Sequence, residues 1–112
     1  MADLRALALE FPETQEILTW GEHPTFRVRD KMFAVLSADE RSARIKATMD
    51  AQQALIGSEP DTFSVAPYLG RHGWVAVDLD RVDADELAEL LEEAWRLTAP
   101  KKMVRAFDET AI

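Results

Sequence analysis

The stretch TFRVRDKMFAVLSADERSARIKA, residues 25–47, decides the fold. Apolar and basic residues alternate over residues 25–29, which is typical of a strand with one buried face and one wet face. Residues 32–36 are apolar throughout, which predicts a strand inside the sheet, and residues 42–47 alternate again. Short polar connections separate the three segments. The stretch therefore predicts three antiparallel strands that follow one another as a meander.

The rest of the chain predicts helices and further strands around this meander. The predicted elements are a helix from Asp3 to about Glu10, a strand around Ile17, Leu18 and Trp20 that ends at a break over 21–24, a helix over 51–58 opened by Asp50, a strand over 63–65, a loop over 70–73, a strand over 74–79, and a helix from Asp83 that ends before Pro100. The last helix has the spacing of a capping box, Asp83 with Glu86. Together these elements predict one domain over residues 1–112, a two-layer α+β fold with an antiparallel sheet packed against helices.

Composition narrows the function classes. The chain has 112 residues, no cysteine and a formal net charge of −8. The absence of cysteine excludes disulfides, thiolate nucleophiles and thiolate metal sites, and it suits the cytoplasm. No apolar run approaches the length of a membrane span, and the start lacks the pattern of a secretory signal. The charge favours a soluble monomer, and the chain taken whole should be repelled by nucleic acid and anionic membranes.

Residues that could carry catalysis are few. His23 and His72 stand in polar turns without a recognisable nucleophile frame around them. The four glycines do not fit a phosphate-binding spacing. The segment 78–93 holds eight acids against one base, a net of −7, and is best explained as a solvated helix face. We therefore expect no catalytic residue, no metal site, no cofactor and no enzymatic activity.

Bases are concentrated in the meander. Residues 27–46 carry a net charge of +3, with six bases: Arg27, Arg29, Lys31, Arg41, Arg44 and Lys46. Arg27 and Arg29 share one strand face, as do Arg44 and Lys46, and all four should point outward. Such a basic sheet face can neutralise phosphates without reading bases. The alternative is that these bases bind no phosphate and only keep the outward strand face polar.

A second candidate site lies in the loop after Pro67. Tyr68, Arg71, His72 and Trp74 combine aromatic faces, a fixed charge and a titratable ring on a loop flanked by glycines. Buried packing is the favoured role of Trp74, as of Trp20 and Trp95, and the alternative for Trp74 is partial exposure beside the bases, where its ring could stack on a nucleobase. This loop predicts a protein- or small-ligand-binding module as the second hypothesis.

Five segments together resemble a known family. They are WGEHPTFRV (20–28) followed by KMFA (31–34), PYLGRHGWV (67–75), DEL (85–87) and EEAWRLTAPKK (92–102). In this order they resemble the MmcQ/YjbR family of small bacterial proteins. The resemblance implies a CyaY-like α+β fold and DNA binding through two basic hairpins, a double-wing mode that would use the six bases of the meander. Our first hypothesis is therefore a non-enzymatic protein that binds double-stranded DNA weakly and in a salt-dependent way.

Overall fold

The computed structural model of the chain describes residues 2–19 and 21–110. Within these residues the helices are α1 (Leu4–Ala8), α2 (Met49–Ser58), α3 (Ala84–Thr98) and α4 (Lys101–Thr110). The strands are β1 (Thr14–Thr19), β2 (His23–Val28), β3 (Lys31–Leu36), β4 (Ser42–Ile45), β5 (Phe63–Val65) and β6 (Val75–Asp78). A single turn of 3-10 helix, Gly70–His72, precedes β6.

The six strands form one antiparallel sheet in the order β1-β2-β3-β4-β6-β5. The first four strands are joined in sequence, as the alternation predicted. The chain then leaves β4 through α2, reaches the far edge as β5, and returns as β6 between β5 and β4. This connection places β6 beside the basic strand β4, with Arg44 opposite Ala76.

The main core lies between one face of the sheet and helices α1 and α3. Phe26, Phe33, Phe63 and Trp95 are its largest fully buried side chains. A β-bulge between β2 and β3 lets Phe33 and its neighbour both join this core, which strict alternation would forbid. The predicted α+β class, an antiparallel sheet with helices packed on it, is confirmed.

Helix α3 begins as its sequence predicts. The Asp83 carboxylate accepts hydrogen bonds from the backbone N–H groups of Asp85 and Glu86, so it caps the helix. The Glu86 carboxyl lies beside that of Glu59 at the end of α2. Burial, and then the hydrogen bond and negative charge of Glu59, raise the pKa of Glu86 to about 7.

Several predicted boundaries were wrong. Helix α1 ends at Ala8 and not at Glu10, and α2 begins at Met49 because the Thr48 hydroxyl, and not Asp50, accepts the capping bond from Ala51. Strand β2 begins at His23, inside the predicted break, because it pairs along the whole length of β1. Trp20, assigned to the strand before the meander, lies outside the described residues.

The sequence reading also missed α4. Proline ends α3, but it is tolerated in the first turn of a helix, and the Pro100 carbonyl accepts hydrogen bonds from Met103 and Val104. Phe107 then packs on Trp95, with ring centroids 5.1 Å apart, which fastens α4 to the core. Neither α4 nor any other described helix is long and apolar enough to cross a membrane.

Candidate nucleic-acid interface and adjoining cleft

The face of the sheet turned away from α1 and α3 is here called the outer face. Strand register defines it, because directly paired residues point to the same side. Its residues are Gln15, Ile17, Thr19, His23, Thr25, Arg27, Met32, Val35, Ser42, Arg44, Ser64, Ala76 and Asp78, with Lys46 directly after β4. Lys46 continues the alternation of β4, and its N–H still bonds to the Phe33 carbonyl.

Three of the six predicted contact bases lie on the outer face: Arg27, Arg44 and Lys46. Arg27 pairs with Met32 of β3, and Arg44 pairs with Val35 of the same strand. Asp78 is the one acid among the residues that define the outer face; it lies at the end of β6, opposite Ser42, and makes an ion pair with Arg81. The central part of this face is therefore positively charged around an apolar middle.

Arg27 is held on this face without a counter-charge. Its Nε donates to the Thr25 hydroxyl at 3.0 Å, one terminal nitrogen donates to the Thr19 hydroxyl and the other to the Asp30 carbonyl, both at 3.2 Å. All three acceptors are neutral, so the guanidinium is oriented but its charge is not compensated. Arg44 and Lys46 are half-buried, and neither makes an ion pair within the described part of the chain.

Two other bases are neutralised by acids. Arg29 makes a two-pronged ion pair with Glu13, and the hydrogen bond raises the pKa of Arg29 while it lowers the pKa of Glu13. Arg41 pairs with Asp80 at 3.0 Å, and this contact raises the pKa of Arg41. Both pairs are exposed and contribute little to stability. They nevertheless remove two of the six charges from the predicted phosphate contacts. Lys31 is exposed at the start of β3.

The positions of the hairpin turns change the predicted arrangement of two wings. Arg29 and Asp30 form the β2–β3 turn with positive φ at both residues, so Arg29 does not share the strand face of Arg27 as expected. Arg41 follows the β3–β4 turn at the opposite end of β3. Six residues of strand separate the two tips, roughly 20 Å at about 3.3 Å per residue. Three of the four bases without acid partners, Arg27, Arg44 and Lys46, lie on the face between the tips, and the fourth, Lys31, lies at the β2–β3 tip.

Five of the eight acids of the segment 78–93 lie on the other layer. Helix α3 packs against the opposite side of the sheet and carries Asp85, Glu86, Glu89, Glu92 and Glu93. The segment contrast of +3 and −7 in the sequence thus becomes, for these five acids, a separation of charge across the sheet. A net charge of −8 does not describe the outer face.

The loop over residues 66–74 packs onto part of the outer face. Trp74 is 6% exposed and forms a small second core with Val35 and Ala66. The favoured prediction of a buried Trp74 is therefore confirmed, and its partial exposure, the alternative, is wrong, because the loop folds the indole down onto the sheet. Gln52, itself buried in α2, fixes the loop by donating from Nε2 to the carbonyls of Gly70 (2.9 Å) and Trp74 (2.7 Å).

A cleft of about 410 Å³ opens where this loop meets the sheet. It is lined by His23, Val35, Arg44, Pro67, Tyr68 and Leu69. Tyr68 and Arg44, assigned to two separate candidate sites by sequence, line the same cleft. Arg71 and His72 are exposed on the far part of the loop and do not line it.

His23 is a cleft residue that sequence reasoning did not select. Its Nδ1 lies 3.4 Å from the Leu36 carbonyl oxygen, and since a carbonyl only accepts, this contact requires the proton on Nδ1. In the tautomer that carries its only ring proton on Nδ1, Nε2 is a hydrogen-bond acceptor. The sequence signal was the position of His23 one residue before Pro24, at the start of a strand beside the basic meander.

The geometry of the described residues also bears on metal binding and catalysis. They contain no group of three or more His, Asp or Glu side chains that could hold a metal ion. His23 and His72 lie on different elements, in β2 and in the 3-10 turn. The expectation of a non-enzymatic protein remains a prediction.

Comparison with known proteins identifies the family. A family model described as YjbR matches residues 9–97. Protein Rv2570 of Mycobacterium tuberculosis (strain H37Rv) and protein Mb2600 of Mycobacterium bovis, both described as uncharacterized, are 39% identical to the chain over 54 residues, or 48% of this chain and 42% of theirs. The match thus spans less than half the length of these curated relatives. In the crystal structure of Deinococcus radiodurans protein DR2400, a DUF419 domain superposes with a TM-score of 0.77 at 27% identity, covering 85% of this chain and 75% of that one. The chain belongs to the YjbR family.

Proposed function

We propose that the chain binds duplex DNA weakly, and without reading its sequence, through the outer face of the sheet. The observation that supports this most is the group of three bases on one sheet face, Arg27, Arg44 and Lys46, none of which makes an ion pair within the described part of the chain. Phosphates are bound by Lys and Arg through release of counterions, which needs cations but no fixed pattern of base contacts. Five acids lie on α3, behind the sheet, and the acid on the outer face, Asp78, pairs with Arg81, so this surface is available to an anion despite the net charge of −8.

The shape of the outer face limits the kind of recognition. Base sequence is read in the major groove by a protruding helix or a two-stranded ribbon. The outer face presents the middle of a sheet, and the two hairpin tips that could protrude have their arginines paired with Glu13 and Asp80. Contact with the phosphate backbone is therefore the mode that this surface supports.

The alternative explanation is that these bases only keep an outward strand face polar, and the distribution of ion pairs distinguishes it from anion binding. A face that served solubility alone would do equally well with acids or with compensated pairs. Elsewhere in the described structure, five arginines do pair with carboxylates: Arg5, Arg29, Arg41, Arg81 and Arg96. Several bases have no acid partner among the described residues: Arg27, Lys31, Arg44, Lys46, Arg71, Lys101, Lys102 and Arg105. Among them, Arg27, Arg44 and Lys46 lie together on one sheet face, which favours an external anion as their partner.

Fluorescence anisotropy with a labelled duplex at low salt tests the proposal. We expect binding that is lost when Arg44→Glu and Lys46→Glu are combined, because two attractive charges become repulsive. The matched control combines Lys101→Glu and Lys102→Glu on α4, which makes the same change in net charge on the opposite layer and should retain most of the binding. Absence of binding at about 100 µM protein, weaker than ordinary non-specific association, would reject the proposal.

A further inference from the structure

We propose that the cleft between Tyr68 and Arg44 binds one unpaired nucleotide of a single-stranded nucleic acid, with its base stacked on Tyr68. This inference rests on the proposed function, because it assigns a strand form to the surface that binds phosphate. It adds a base-binding position that the flat outer face alone would lack.

Tyr68 is the first reason. Its side chain is 90% exposed, and its backbone has a φ of +63° in a tight turn in which the Leu69 N–H donates to the Pro67 carbonyl at 2.6 Å. Such γ-turns with positive φ are rare and strained, and an L-residue there costs about 1–3 kcal/mol. An aromatic ring so exposed recovers none of this through burial. Stacking of the ring on an external partner would offset the cost of this strained backbone.

The rigidity of the loop is the second reason. Gln52 holds the loop from below through the Gly70 and Trp74 carbonyls, and Trp74 anchors it on the sheet. Gly73 has a φ of +98°, and a Cβ at that position would press against the Ala47 carbonyl oxygen. These contacts hold the Tyr68 turn at the mouth of the cleft before any ligand arrives, which lowers the ordering cost of binding.

The chemistry of the cleft is the third reason. Val35, Pro67 and Leu69 supply an apolar wall, which suits the face of a planar ring. Arg44 and His23 supply a fixed positive charge and a ring nitrogen, and they also line a smaller adjoining cavity of about 50 Å³ with Ser37 and Ser42. An aromatic ring joined to a phosphate satisfies both parts. Arg27 and Lys46 continue the positive charge along the sheet, where the next phosphates of a strand would lie.

The size of the cleft decides between strand forms. About 410 Å³ lies at the lower end of pockets for small molecules, roughly 300–1,000 Å³, and is suited to one nucleotide. A base paired and stacked within a duplex cannot enter without being flipped out of the helix, which costs a few kcal/mol. The cleft therefore favours single strands, while the outer face binds phosphates of either form.

The test compares three probes against the same set of variants at low salt. The probes are a labelled single-stranded oligonucleotide, the duplex of the same sequence, and free adenosine monophosphate. The variants are Tyr68→Ala, Tyr68→Phe, which keeps the stacking ring, and Leu97→Ala as the control, since it removes an exposed apolar side chain from α3. Because Tyr68 is so exposed, its removal should leave the fold intact, which circular dichroism checks.

We expect the single strand to bind more tightly than the duplex. Tyr68→Ala should weaken single-strand binding about tenfold, as the loss of one base–aromatic stack does, and should leave duplex binding unchanged. Tyr68→Phe and Leu97→Ala should bind as the parent protein does. Equal effects of Tyr68→Ala on both strand forms, or no effect on either, would overturn the inference. In that case the proposed function would still stand, provided that duplex binding depends on Arg44 and Lys46. Failure of both forms to bind would overturn both proposals. Adenosine monophosphate that binds as tightly as the oligonucleotide would assign the cleft to a free nucleotide and overturn the strand assignment.

Discussion

Replacement of Gln52 by methionine should loosen the loop that forms the cleft. Gln52 is 3% exposed, and its Nε2 is the side-chain donor to both the Gly70 and the Trp74 carbonyls. Methionine has a similar length and no hydrogen-bond donor. The substitution therefore removes two buried hydrogen bonds without opening a large cavity.

The size of the destabilisation depends on the hydrogen bonds that the Gly70 and Trp74 carbonyls retain in Gln52→Met. A buried acceptor left without any donor costs about 1–3 kcal/mol. The Gly70 carbonyl still accepts from the Gly73 N–H at 3.0 Å, and the Trp74 carbonyl from the Ala66 N–H at 3.4 Å. Each loss should therefore lie at the lower end of the range, which gives about 2 kcal/mol in the free energy of unfolding. At about 4 °C per kcal/mol, the melting temperature should fall by roughly 8 °C.

Urea denaturation followed by circular dichroism measures this change, with Gln53→Met as the matched control. Gln53 is the next residue of the same helix and is exposed, so its replacement should change the unfolding free energy by less than about 0.5 kcal/mol. Amide hydrogen exchange should also show faster exchange over residues 66–74 in Gln52→Met. Equal stability of the two methionine variants would refute the reasoning that Gln52 holds the loop.

Two further predictions concern backbone strain and pH. Gly73→Ala should lower the unfolding free energy by more than about 2 kcal/mol, because Gly73 has a φ of +98° and a Cβ there would press against the Ala47 carbonyl oxygen. Gly57→Ala should raise the unfolding free energy by about 0.5–1 kcal/mol, because Gly57 lies in a helix with open space around it. Urea denaturation of both variants measures the two changes. Glu86 has a folded-state pKa of about 7, above its usual 4.5, so the stability that its protonated form provides is complete below pH 4.5 and is lost as the pH rises through about 7. Glu86→Gln carries no ionisable group at this position, so its unfolding free energy should rise relative to that of the parent protein by on the order of 1 kcal/mol between about pH 5 and pH 8. This magnitude is reduced because Glu86 is partly exposed. The control Glu93→Gln should show the same pH dependence of stability as the parent protein. A constant difference between Glu86→Gln and the parent over this range would contradict the effect.

Local patterns in the sequence were sufficient for the strands of the meander and for the start of α3. Alternation sets which side chains share a face, so the outward direction of Arg27 and Arg44 could be read directly. The cap of α3 is also local, since Asp83 bonds to residues two and three positions later. The signal for α4 was present in the helical spacing of Met103, Val104 and Phe107, but Pro100 was given only its role in ending a helix.

The features that sequence could not supply depend on distant partners. The ion pairs Arg29–Glu13 and Arg41–Asp80 join residues 16 and 39 positions apart, so the neutralisation of two bases was not visible. The place where Trp74 packs depends on Gln52, 22 positions away, and on a loop that folds back over its own sheet. The cleft between Tyr68 and Arg44 arises from the same folding back, which is why its two sides were assigned to separate sites.

The most direct test of the central claim is the salt dependence of duplex binding. Each phosphate neutralised contributes about −0.9 to the slope of log affinity against log salt concentration. Contacts from Arg27, Arg44 and Lys46 predict a slope of roughly −3 for the parent protein. Neutralising two of them in a combined Arg44→Gln and Lys46→Gln variant should bring the slope to about −1. An unchanged slope in that variant would show that the phosphates are bound elsewhere and would contradict the outer face as the binding surface.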